Sequence, residues 1–149
     1  MSDNMEDLQE TYPGAGTFQF GKTEAENIKL LKKVRNKVKT AASEAFREFK
    51  DDMGAMPKVG RCDIAANWDG SPALVIQTTS VRRGRFCDVT EEMALAEGEH
   101  KSLHAWVKDR RAYFDRTGGF DPQMEIVFEH FEVFEDLAKR PKNSSEEEQ

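Results

Sequence analysis

The sequence predicts an α+β protein built around a small sheet. Helical periodicity follows residue 23, a β-hairpin pattern spans residues 61–81, and an alternating apolar segment covers residues 124–136. These strands are too few for a sandwich, so a small curled sheet or barrel flanked by helices fits their order best. The 149 residues are sufficient for one domain with its own hydrophobic core.

The first predicted helix begins at a capping box formed by Thr23 and Glu26 and extends to about residue 38. Apolar residues recur along it at spacings of three and four and define one face: Ala25, Ile28, Leu31, Val34 and Val38. An acid-free set of basic residues accompanies them: Lys29, Lys32, Lys33, Arg35, Lys37 and Lys39. This basic run is either a solvated helix face or part of a phosphate-binding surface.

The remaining elements follow from local signals. Residues 39–54 are ambiguous between helix and strand on propensity alone. Two β-rich runs flank the turn dipeptide Asp69-Gly70 and predict a hairpin. Thr90, followed by acids, predicts a short helix that ends near Gly98, and a second helix is expected from Ser102 to Tyr113. The alternating segment 124–136 predicts a final strand.

Composition limits the location and the class of partner. The N-terminal residues are acidic and polar where a signal peptide would be basic and then apolar, which predicts a cytoplasmic protein without a membrane partner. Cys62 and Cys87 show no metal-binding or disulfide spacing and are expected to be buried free thiols. The net charge of −6 argues against a generic polyanion binder. Many of the acidic residues lie at the two ends of the chain, so the charge distribution is compatible with a local basic face.

Several segments in order resemble one family. They are FQFGKTEAENIKLLKKV, MPKVG, GSPALVIQTTSV, DVTEEMALAEGEHKSLHAW and MEIVFEHFEVF. The sequence resembles the ASCH domain, of the PUA-like superfamily, over residues 17–137. This resemblance implies a small mixed or antiparallel β-barrel flanked by helices, with a short strand near Thr40 to Ser43. It leaves residues 1–16 as a mobile acidic leader and 138–149 as a disordered charged tail.

The resemblance implies an RNA or nucleobase ligand held in a cleft beside the barrel. Some members resemble ribonucleases and others hydrolyse an acetylated cytidine with a Lys, a Thr three residues later and a Glu. In this sequence the Lys matches Lys39 and the Glu matches Glu99, whereas the Thr position holds Ala42. The missing hydroxyl removes the family's nucleophile. The neighbouring Ser43 is expected to point to the opposite face of a strand, and Thr40 lies two residues away.

The candidate catalytic residues are therefore Lys39, to stabilise an oxyanion, and Glu99, to transfer protons. The candidate nucleic-acid-binding residues are Lys39, Thr40, Arg82, Arg83, Arg85, Glu97, Glu99, Trp106 and Arg110. Trp106 is either a core residue or a base-stacking platform. His100 and His104 have a helical metal-binding spacing, but Lys101 beside them disfavours a cation, and we expect neither metal nor cofactor.

Three functions remain open on the sequence. The first is a module that binds RNA or a nucleoside or nucleotide through a cleft lined by Lys39 and Glu99. The second is a metal-independent hydrolase, acting on RNA as a ribonuclease or on a modified cytidine as an amidohydrolase. The third is a regulatory domain that senses a small metabolite. The sequence does not determine the oligomeric state.

Overall fold

The computed structural model describes residues 5–139, and these residues form two compact units. Within that range the first unit comprises residues 5–36, 60–77 and 132–139, and the second comprises residues 37–59 and 78–131. The helices are α1 (Met5–Thr11), α2 (Glu24–Arg35), α3 (Glu91–Ala96) and α4 (Leu103–Arg116). The strands are β1 (Thr17–Phe18), β2 (Ala41–Ala45), β3 (Cys62–Ala66), β4 (Pro72–Arg85) and β5 (Glu125–Asp136).

The strands form one mixed sheet with the order β1-β3-β4-β5-β2. Strand β1 is parallel to β3, whereas β3 and β4 form the predicted antiparallel hairpin, and β2 pairs antiparallel with β5. The α+β class and the short strand after Lys39 are confirmed. The predicted barrel is wrong: among the described residues the sheet is open, because β1 and β2 are edge strands at its two ends.

In the first unit, helix α1 occupies part of the segment expected to be a mobile leader. Leu8 is fully buried and packs with Ala15 and Ile64, and the Tyr12 hydroxyl donates to Glu135 over 2.6 Å. Burial of one leucine contributes about 2 kcal/mol to the stability of the fold, and an unstructured leader would lack this contribution. The predicted disordered tail falls mainly on residues 140–149, which lie outside the described range.

Helix α2 begins at the predicted Thr23 cap, whose side chain accepts from the Glu26 N–H, but it ends at Arg35. Its buried face differs from the predicted one. Leu31 and Val34 are buried as expected, whereas Ile28 is 61% exposed and the neighbouring Asn27 is buried. The Asn27 amide donates to the carbonyls of Phe20 and Ala66, so hydrogen bonds allow a polar side chain to occupy the inward face. Val38, beyond the helix end, is 53% exposed.

In the second unit, α3 and α4 pack onto the sheet face formed by β2 and β5. The shared core comprises Ala45, Phe86, Val89, Ala94, Trp106, Phe114 and Ile126. The two helices begin where the sequence predicted, and Thr90 and Ser102 cap them, each accepting a backbone N–H three residues later. Across residues 5–139, no helix has both the length and the apolar character needed to cross a bilayer.

Candidate functional site

Lys39 is a buried cation at the entrance to strand β2. Its side chain is 5% exposed, and its ammonium donates three hydrogen bonds within the second unit. The acceptors are the carbonyl of Ala41 at 3.1 Å, the carbonyl of Glu97 at 3.2 Å and Glu99 Oε2 at 2.7 Å. An ammonium group has three hydrogens, so all of them are accepted inside the protein. The predicted pair Lys39 and Glu99 therefore meets directly, with the Glu99 side chain 36% exposed.

A tight turn after α3 holds these acceptors against the chain leading into β2. The turn contains Gly98 with φ +74°, and a Cβ at that position would lie 2.5 Å from the Val38 carbonyl oxygen and 2.8 Å from the Lys39 Cα. Thr40 adds a backbone hydrogen bond to the Ala96 carbonyl at 2.8 Å. Glycine is required here because the two backbones approach more closely than any side chain permits.

Glu97 and Glu99 have different environments on either side of this glycine. Glu97 is 4% exposed and accepts a hydrogen bond of 2.6 Å from the Ser43 hydroxyl. Ser43 shares its strand face with the buried Ala41 and Ala45, and across the ladder it lies opposite Phe128. On the sequence alone, Ser43 is only a poor substitute for the missing Thr. The sequence signal that predicts an inward-facing Ser43 is its position two residues from both Ala41 and Ala45, the small residues that the strand buries.

A cavity of about 240 Å³ lies over this part of the sheet in the second unit. Its lining combines the arginine segment at the end of β4 with residues from β5, from α3 and from the connection between β4 and α3: Arg82, Arg83, Gly84, Arg85, Asp88, Val89, Met93, Ile126 and Phe128. Ile126, Phe128 and Val89 are almost fully buried and form the apolar part of the wall. Cationic groups beside an apolar hollow suit a ligand with an anionic part and a flat, weakly polar part.

Two of the three predicted phosphate-binding arginines make exposed ion pairs. Arg83 contacts both carboxylate oxygens of Glu125, at 2.6 and 3.2 Å, and Arg85 contacts Asp88 at 3.0 Å. The hydrogen bond from Arg83 lowers the pKa of the Glu125 carboxyl below its ordinary value and raises the pKa of the guanidinium. In residues 5–139, Arg82 has no ion pair and is exposed.

Arg110 and Trp106 both make contacts with other residues of the second unit. Trp106 is fully buried and stacks on Phe86 with ring centroids 5.1 Å apart, so in this conformation it presents no surface on which a base could stack. Arg110 donates to the Ser43 carbonyl at 3.0 Å, and its guanidinium lies 4.4 Å from the centre of the Tyr113 ring. Burial raises the pKa of the Tyr113 hydroxyl, with a further contribution from nearby Glu44.

The histidines do not converge. His100 Nε2 lies 2.9 Å from Asp109 Oδ2, whereas His130 Nδ1 lies 3.1 Å from the Ser80 hydroxyl and His104 is exposed. The part of the chain that the structure describes contains no group of three or more side chains able to hold a metal ion.

The chain also matches a known protein family. The ASCH domain family matches residues 16–135, and the chain belongs to it. The chain is similar to the ASCH domain from Lactobacillus crispatus JV V101, at 29% identity with a TM-score of 0.73, covering 85% of this chain and 84% of that one. It is also similar to protein EF3133 from Enterococcus faecalis V583, at 23% identity with a TM-score of 0.78, covering 97% and 93%. No curated protein matches the chain. ASCH domains are generally thought to bind RNA.

Proposed function

We propose that this ASCH domain binds RNA, with phosphates at Arg82, Arg83 and Arg85 and a base in the adjoining cavity. The observation that carries this proposal is the cavity of about 240 Å³, because it joins three arginines to an apolar wall. Single-stranded RNA needs both features, since its phosphates require cations and its unstacked bases require a flat apolar contact.

The ion pairs of the arginine segment do not prevent this role. Arg83 and its partner Glu125 are 48% and 38% exposed, and Arg85 and Asp88 are both 56% exposed. Water screens exposed ion pairs of this kind and they contribute little to stability, so a phosphate can replace the carboxylate or share the guanidinium. A guanidinium has five N–H groups and can contact both partners at once.

Lys39 and Glu99 support the site in this proposal. Every hydrogen of the Lys39 ammonium already has an acceptor, so a ligand contact requires that one acceptor leave. Glu99 is the acceptor that can leave, because it is the partly exposed one. The cation therefore anchors the turn around Gly98, and Thr40 anchors the same turn through its hydrogen bond to Ala96.

The test compares two double variants that remove equal charge. Fluorescence anisotropy of a labelled single-stranded RNA is measured over a range of salt concentrations with Arg82→Gln/Arg85→Gln and with Lys29→Gln/Lys32→Gln. Lys29 and Lys32 are exposed residues of α2 and represent the basic-helix alternative. We expect the arginine variant to lose roughly tenfold in affinity, about 1.4 kcal/mol, and the lysine variant to lose little.

The salt dependence gives a second readout. Loss of two phosphate contacts should reduce the slope of log affinity against log salt by about 1.4, at about 0.7 per contact with a single strand. The proposal is wrong if the wild-type protein binds no RNA, or if the lysine variant rather than the arginine variant loses affinity and slope.

A hydrolase is the second candidate, and one contact favours it. The Ser43 hydroxyl donates to the buried Glu97 carboxylate at 2.6 Å, which is the arrangement of a nucleophile and its general base. It ranks second because Lys39, the expected oxyanion contact, donates all its hydrogens within the protein. Turnover of RNA or of an acylated cytidine that disappears in Ser43→Ala would favour this candidate over simple binding.

A further inference from the structure

Two neighbours in the second unit hold the Arg83 guanidinium in place. Its Nε and Nη2 groups donate to the two carboxylate oxygens of Glu125, at 2.6 and 3.2 Å. Its central carbon lies 4.0 Å from the centre of the Phe46 ring. The carboxylate occupies one edge of the planar guanidinium, and the ring covers one of its broad faces. The position of this cation is therefore set before a ligand arrives.

The other broad face of the guanidinium is open. The Arg83 side chain is 48% exposed, and within residues 5–139 its side-chain partners are Glu125 and Phe46. Arg83 also lines the cavity of about 240 Å³. A flat cation that rests on an aromatic ring can accept a second flat group on its free face.

The two neighbouring arginines of the cavity lack this arrangement. Arg82 is exposed and has no ion pair in the described part of the chain, so its side chain is free to follow a phosphate. Arg85 donates to Asp88 at 3.0 Å and to Gln123 at 2.8 Å, and across residues 5–139 no aromatic ring lies against it. Arg83 is thus the arginine of this segment that is suited to stacking.

An unpaired base is the flat group that such a surface fits. Unstacked RNA bases pack against aromatic side chains or against the plane of an arginine guanidinium. The stacking of one base typically contributes a factor of about ten or more in affinity. Because Glu125 and Phe46 already fix Arg83, binding does not have to order a flexible side chain, which preserves this gain.

We propose that the open face of Arg83 stacks one unpaired base of RNA, and that Phe46 and Glu125 are positioning residues for it. The inference rests on the proposed RNA-binding function and deepens it, because it distinguishes a stacking residue from the phosphate contacts Arg82 and Arg85. The Nη1 group of Arg83 is not used by Glu125 and can still donate to a phosphate. The ligand is single-stranded RNA, since the bases of a duplex remain stacked on one another.

The experiment measures the affinities of two labelled strands of equal length and charge for the full chain. One is a single-stranded RNA, and the other is the same ribose–phosphate chain without bases. The wild-type protein should bind the base-bearing strand about tenfold more tightly. Arg83→Lys keeps the charge and removes the plane, so this variant should bind the two strands within about twofold of each other and keep its salt dependence.

Arg111→Lys is the matched control. Arg111 is an exposed arginine of α4 whose guanidinium lies 5.1 Å from the centre of the Phe120 ring, and it does not line the cavity. The same substitution there removes an arginine–ring contact of the same kind. It should leave the tenfold preference for the base-bearing strand unchanged.

Phe46→Leu tests the support behind the guanidinium. Leucine keeps an apolar side chain and removes the ring, so the preference should fall to about threefold. In the Arg83→Lys background the same change should have no effect on the preference, because Phe46 acts through Arg83. A general loss of stability would not produce this non-additivity.

The possible failures are distinct. If neither strand binds, the proposed RNA-binding function fails. If the wild-type protein binds both strands equally and with salt dependence, that function stands and the stacking role is wrong. If Arg83→Lys keeps the tenfold preference, the base lies elsewhere and the assignment to Arg83 is overturned. Equal losses in Arg83→Lys and Arg111→Lys would also overturn it.

Discussion

Replacement of Gly98 by alanine tests the turn that carries Glu97 and Glu99. The added Cβ would lie 2.5 Å from the Val38 carbonyl oxygen and 2.8 Å from the Lys39 Cα, and both are backbone atoms that cannot rotate away. The left-handed φ of +74° costs an alanine about 1–2 kcal/mol. Forcing the backbones apart adds about 1–3 kcal/mol, so Gly98→Ala should destabilise the protein by about 2–5 kcal/mol.

The assay is urea denaturation followed by circular dichroism, with Gly119→Ala as the control. Gly119 has φ +104°, farther from the conformation that alanine tolerates, yet nothing lies within 4 Å of a Cβ built there. The control therefore includes the conformational cost and omits the steric one. If Gly98→Ala is no more destabilising than Gly119→Ala, the close approach between the turn and the entrance to β2 does not exist.

Three further predictions follow from the contacts of the second unit. Lys39→Met should destabilise the protein by about 2–4 kcal/mol in urea denaturation, because it leaves two buried carbonyls and Glu99 without their donor. An unchanged denaturation midpoint would contradict the three hydrogen bonds of the Lys39 ammonium. Trp106→Ala should cost about 3–5 kcal/mol in the same assay, and a loss below about 1 kcal/mol would show that the indole is not in the core. The Glu125 carboxyl should titrate below its ordinary pKa by NMR because Arg83 favours its charged form. Its contribution to stability is present above the unfolded-state pKa and disappears as the pH falls through the lower folded-state pKa, and Arg83→Gln should return the midpoint towards the ordinary value.

Local signals were sufficient for most elements. The starts of three helices were predicted correctly at Thr23, Thr90 and Ser102, and each of these residues caps its helix, which satisfies a backbone N–H three residues later. The hairpin was also predictable, since its turn residues and flanking β-rich runs are adjacent in sequence. The helix face was predicted less well, because the burial of Asn27 depends on carbonyls of Phe20 and Ala66 that periodicity does not include.

For the candidate site, too, the sequence indicated some features and the tertiary structure decided others. The resemblance drew attention to Lys39 and Glu99, but the sequence could not indicate that the ammonium would be saturated by three acceptors. It also gave no reason to prefer Glu97 as the glutamate that faces Ser43, because residues 43 and 97 meet only when α3 packs on β2. Trp106 had two possible roles on the sequence, and its complete burial favours core packing.

The sequence alone determined the α+β class, the starts of α2, α3 and α4, the hairpin and the resemblance to a family, because each depends on neighbours along the chain or on the order of its segments. The tertiary structure alone decided that the sheet stays open, that helix α1 is packed through Leu8, and that Glu97 rather than Glu99 accepts from Ser43. These outcomes depend on distances between residues that are far apart in sequence, and such distances are fixed only when burial and hydrogen bonding are satisfied throughout each unit at once.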